Sequence, residues 1–71
     1  MVRKTFLQSA RKRAGYTQAG MGALIGVTQG RYAQYERDPG SIPMHRMSAL
    51  VRALDDSEHH FRNDVNAYFF E

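Results

Sequence analysis

The chain has 71 residues, 42% of them hydrophobic, with ten Lys plus Arg against seven Asp plus Glu and no cysteine. That is room for a single domain over residues 1–71, with a small interior and neither a disulfide framework nor a thiolate zinc site to support it. With no apolar run of about 18 residues and no apolar leader after Val2–Thr5, the expectation is a cytoplasmic binding module that a second copy of the chain stabilises.

Thr5 to Ala14 places Phe6 or Leu7, Ala10 and Ala14 at helical spacing, with basic residues outward. Gly15 follows as a helix stop, with Tyr16 able to supply the apolar contact that accompanies one. Thr17 reads as an N-cap, and Ala19, Met21, Gly22, Ala23, Leu24 and Ile25 form a second short helix ended by Gly26. Glycines inside a helix cost about 1 kcal/mol each relative to alanine. Gly22 is assigned to a close helix approach and Gly20 to plain loss. Thr28 is a second N-cap, opening a helix from Gln29 to Glu36 with Tyr32 and Tyr35 inward. Asp38 to Pro43 is a break rich in turn residues, and Pro43 suits a helix start. Met44, Met47, Leu50, Val51 and Leu54 then line one face of a fourth helix, read as core. The segment from 55 to 71 admits two forms: a helix capped by Asp56 or Ser57 with Phe61, Val65 and Tyr68 or Phe69 inward, or a hairpin turning at Asn63–Asp64. The expected fold is all-α, a compact bundle of four to five short helices whose last segment is a helix or a short hairpin.

Charge is divided unevenly along this layout. Up to Arg37 seven cations face Glu36 alone, a balance of +6; from Asp38 onward Arg46, Arg52 and Arg62 face six acids, a balance of −3. A basic half joined to an acidic half fits one polyanion-binding surface and one that stays clear of it.

Residues 17 to 36 resemble the helix-turn-helix of phage repressors and Cro proteins. The resemblance rests on Thr17-Gln18-Ala19, the apolar pair Met21 and Leu24, Gly26 in the turn, Val27, then Thr28-Gln29, with Tyr32, Tyr35 and Glu36 completing it; it extends from Leu7 to Leu54. Gly20, Gly22 and Gly30 depart from the pattern, the family favouring an acid at the first and alanine at the second. A recognition helix over 28–36 would enter the major groove with its N-terminal residues at the base edges.

That end presents Thr28, Gln29, Gly30 and Arg31, with Gln34 one turn on. Glutamine can donate and accept at once, and so grip adenine N6 and N7; arginine can do the same at guanine O6 and N7. The resemblance puts Gln29, Gly30 and Gln34 at base-reading positions. Glycine offers only backbone there, which leaves Arg31 as a base reader or a phosphate clamp. The resemblance also puts Gln18 and Thr28 at phosphates, where helix N-termini favour anions. Arg37 is a further phosphate candidate; Arg46, with Ser41 and His45, is a weaker one, and Arg3 and Lys4 are candidates for a short arm. Arg11 and Glu36 match an internal ion pair of the family, which would remove a free carboxylate from a surface meant for phosphate.

No cofactor and no catalysis are expected. His45, His59 and His60 lack metal spacing, and neither a Gly-rich phosphate loop nor a nucleophile elbow is present. The resemblance implies a double-stranded DNA-binding transcription regulator, of the phage or prophage repressor type, acting as a homodimer on a palindromic operator. Val65, Tyr68, Phe69 and Phe70, in a tail over 55–71, are the material for the dimer interface, unless they cap the monomer core instead. A variant reading is an antitoxin with a toxin partner, on the likeness of Glu36 to Gly40 to such proteins. A protein-interaction adaptor without DNA is the alternative from another class, and the polar face of Gln29, Arg31, Gln34 and Arg37 argues against it.

Overall fold

In the computed structural model residues 2–70 are described; Met1 and Glu71 lie outside them. Five α-helices follow one another, α1 (Phe6–Ala14), α2 (Gln18–Ile25), α3 (Gln29–Arg37), α4 (Met44–Leu54) and α5 (His60–Phe70), with one 3-10 turn, Pro39–Ser41, between α3 and α4. No strand occurs among the described residues. The fold is all-α, and among the described residues no helix is long and apolar enough to cross a membrane.

The first two helices end by the same device. Gly15 stands at φ 85° and Gly26 at φ 82°, a region open to glycine at no steric cost. After Gly15, the Tyr16 N–H donates to the Arg11 carbonyl; after Gly26, the Val27 N–H donates to the Gly22 carbonyl at 2.8 Å. Both pairs satisfy carbonyls that the helix leaves unpaired. Tyr16 itself is 38% exposed. Thr17 and Thr28 cap α2 and α3, their hydroxyls accepting from the Gly20 and Arg31 N–H groups at 2.9 and 3.1 Å.

Gly22 is buried, and a Cβ there would lie 3.0 Å from the Val27 carbonyl and 3.2 Å from that of Thr28. Its missing side chain therefore admits the backbone of the turn rather than the flank of another helix. Leu24, expected to pair with Met21, is 54% exposed, and Ile25 takes the inward place instead. α2 closes at Gly26, so its inward stripe has room for Met21 and Ile25, one turn apart, and Leu24 rotates out.

α3 buries Tyr32 and Tyr35, and α4 buries Met47, Leu50 and Leu54. Val51 is half-buried and packs against this core as expected, whereas Met44 is 76% exposed, a correction to the core face expected of α4. Met44 occupies the first turn, beyond the reach of the helices that cover Met47 and Leu50.

The last segment is a helix. Asn63 and Asp64 sit in its middle, which excludes a hairpin turning there. α5 starts at His60, later than a cap at Asp56 or Ser57 implies, after His59 at φ 58°. Two of its free N–H groups are taken by carboxylates: Asp56 accepts from His60 and Asp55 from Arg62, each at 3.1 Å. Phe61 and Val65 are buried, and Phe6 of α1 meets Phe61 and Tyr68 at ring-centroid distances of 5.9 and 5.1 Å. The core thus runs from α1 through Met21, Tyr32 and Leu50 to α5, one cluster shared by all five helices.

Candidate nucleic-acid interface

α3 is positioned by its two tyrosines, which are buried in the core, and by the Thr28 cap at its start. Thr28, Gln29, Gly30 and Arg31 are consequently exposed at its N-terminal end, and Gln34 is half-buried one turn on. The Arg31 Nη1–H points at the Gln34 Oε1 across 3.5 Å, so these two side chains share one face. A Cβ built on Gly30 meets nothing within 4 Å; nothing in the fold requires glycine at that point. The Thr28 hydroxyl accepts from its own helix and keeps its proton free to donate outward. Arg37, at the other end of α3, is exposed.

Behind this face lies a buried polar knot. Arg11 donates Nε–H to Glu36 Oε2 at 2.7 Å and an Nη1–H to the Tyr16 carbonyl at 2.9 Å. Gln18 donates its amide N–H to the other Glu36 oxygen at 2.9 Å. Burial alone would push the Glu36 carboxyl up, but the hydrogen bonds from Arg11 and Gln18 outweigh it and hold its pKa below the usual carboxylate value. The Arg11 guanidinium is raised, chiefly by the hydrogen bond to Glu36. The Tyr32 hydroxyl is buried beside the pair without a hydrogen-bond partner, and burial pushes its pKa well above that of a free phenol. The acid at the end of α3 is neutralised from inside, and the outer face carries cations and amides.

Several expected site residues stand differently from the sequence reading. Gln18, expected at a phosphate, is half-buried with its amide turned to Glu36. Arg46, also expected at a phosphate, donates Nη1–H to the Ile25 carbonyl at the end of α2. Ser41 donates its hydroxyl to the Asp38 carbonyl at 2.7 Å. Arg3, Lys4 and His45 are exposed. Among the tail residues Val65 is buried in the monomer core and Tyr68 is half-buried against Phe6. Val65 also lines the groove described next. Phe69 at 38% and Phe70 at 76% exposure remain on the surface, beside Met44, Ile42 and Val51, around an apolar groove of about 600 Å³.

Sequence reasoning missed the Gln18–Glu36 and Arg46–Ile25 contacts. Both join residues 18 or more positions apart, and one of the acceptors is a backbone carbonyl, which no residue type announces. Among the described residues no group of three or more His, Asp or Glu side chains is placed to hold a metal ion.

The sequence pattern of the helix-turn-helix family matches residues 7–58, from the first turn of α1 to the loop after α4. No curated protein and no solved structure matches the chain.

Proposed function

The chain belongs to the helix-turn-helix family, DNA-binding transcription regulators typified by phage repressors and Cro-like proteins, and from that premise we propose a sequence-specific repressor of phage or prophage type that binds a palindromic operator as a homodimer. The carrying observation is the exposed start of α3, where Gln29, Gly30, Arg31 and Gln34 form one polar face while the nearest acid, Glu36, is bound to Arg11. α3 enters the major groove. Gln29 and Gln34 read base edges, Arg31 reads a base or clamps a phosphate, and Gly30 lets the backbone approach closely. Thr28 and Arg37 take phosphates. Gln18 joins them by its α2 N-terminal backbone, its side-chain amide staying on Glu36.

The geometry of B-DNA has room for a dimer. Successive major grooves on one face recur at about 34 Å, and the chain is 29 Å in its longest extent. Two copies side by side fit that spacing. The tail over 55–71 supplies the contact through Phe69 and Phe70, with Tyr68 behind them, in a domain that otherwise covers the whole chain.

The test is a binding selection from random duplex DNA at fixed salt. It should enrich a palindrome whose half-sites are centred about one helical turn apart. Recovery of sequences without symmetry would remove the dimer, and recovery of no preferred sequence would remove the regulator.

A further inference from the structure

α2 ends on carbonyls for which its own backbone has no N–H left. At Ile25 the donor comes from another helix: Arg46, in the first turn of α4, donates Nη1–H to the Ile25 carbonyl oxygen. The guanidinium lies against Gly26, where a Cβ would fall 2.9 Å from Nη1. A side chain at that position would displace it. The cation also sits at the negative end of the α2 dipole.

These contacts meet at the turn that joins α2 to α3. On its inner side the Val27 and Thr28 carbonyls press on Gly22; on its outer side Arg46 holds Ile25 and Gly26. Arg46 in turn stands next to Met47 and four residues before Leu50, both buried. The turn is thereby tied to α4, a helix outside the polar face of α3. The geometry points to Arg46 as a positioning residue: it holds the α2–α3 turn on α4 and so sets the angle at which Gln29, Arg31 and Gln34 are presented, and it does not serve as a phosphate ligand. This rests on the DNA reading above.

A phosphate ligand and a positioning residue lose different things on removal. Loss of a phosphate ligand weakens every sequence alike and flattens the plot of log affinity against log salt by about 0.9. Loss of a positioning residue spoils base-edge geometry, so affinity for the preferred sequence falls toward that for unrelated DNA while the salt slope stays.

The probes are the duplex enriched by the wild-type chain and a scrambled duplex of the same length, titrated over a salt series well below the melting temperature. Arg46→Ala should bind the enriched duplex about tenfold more weakly, as expected for one lost hydrogen bond from a charged donor, with the scrambled duplex and the slope unchanged. Arg46→Lys, whose ammonium can still donate to the Ile25 carbonyl, should restore part of the preference. An equal loss on both duplexes with a flatter slope, or an unchanged preference, overturns the inference. If Arg46→Ala does not fold, Arg46→Lys decides alone: a reduced preference at constant slope supports the positioning role, and a wild-type preference refutes it. A wild-type chain that enriches no sequence defeats the DNA reading itself. A wild-type chain that enriches one, with a variant that keeps it, defeats only the role of Arg46.

Discussion

At Glu36 two side chains, Arg11 and Gln18, converge on one carboxylate, and its removal leaves both without that acceptor. Glu36→Ala strands the Arg11 guanidinium, a loss of about 3 kcal/mol for a buried pair broken from one side, or roughly 10 °C or more in melting temperature for a domain of this size. Thermal denaturation followed by circular dichroism checks this. The same group predicts the acid limb of stability. Its pKa is depressed in the folded chain, so its contribution is complete above the unfolded value near 4.3 and lost as pH falls through the folded one. Between about pH 5 and 3 the wild type should lose stability more steeply than Glu36→Gln. Some slope will remain, because Asp55 is lowered by its hydrogen bond from His59, and Asp56 by the His60 N–H. Tyr32 points the other way. Its hydroxyl is buried without a partner, so Tyr32→Phe removes an unsatisfied group and should leave stability unchanged or raise it by about 1 kcal/mol; urea titration at pH 7 measures it.

At the scale of the helices, much was legible because it is local. The two threonine caps, the two glycine stops and the Tyr32–Tyr35 spacing each depend on residues within a turn of one another, and each stands where the spacing predicts. The α2 stripe was misread because Met21, Leu24 and Ile25 are all apolar, and only the neighbouring helices select Met21 and Ile25. Met44 has the same apolar character and is 76% exposed, on the side of the first turn of α4 away from the core. Gly20 and Gly22 look alike in sequence and differ in space. A Cβ on Gly22 meets two backbone carbonyls, whereas one on Gly20 meets only the Thr17 hydroxyl at 3.1 Å. Gly22→Ala should therefore cost about 1–3 kcal/mol by overpacking, while Gly30→Ala, open to solvent in the first turn of α3, should gain up to about 1 kcal/mol of helix propensity. Chemical denaturation of the pair gives the contrast, and equal effects of the same sign would contradict the placement of Gly22 against the turn.

Across the whole molecule, the uneven charge becomes a surface with direction. The basic half holds α1 to α3 and the exposed polar face of α3; the acidic half holds α4 and α5, with the groove beside Phe69 and Phe70. The small core runs through all five helices, so the tail serves the monomer through Phe61, Val65 and Tyr68 before it can serve a partner. The proposed dimer then predicts that Phe70→Asp leaves folding intact, lowers the sedimentation coefficient to that of a monomer, and weakens operator binding through lost avidity. An unchanged sedimentation coefficient would remove the tail as the contact.

The central claim is that the exposed start of α3 reads bases, and the binding selection repeated with Gln29→Ala and with Gln34→Ala tests it most directly. Each variant should fold as the wild type does and relax the preference at one base pair in each half-site, by about 1–3 kcal/mol of discrimination. The same enriched sequence from the wild type and both variants, at the same affinity, would contradict it.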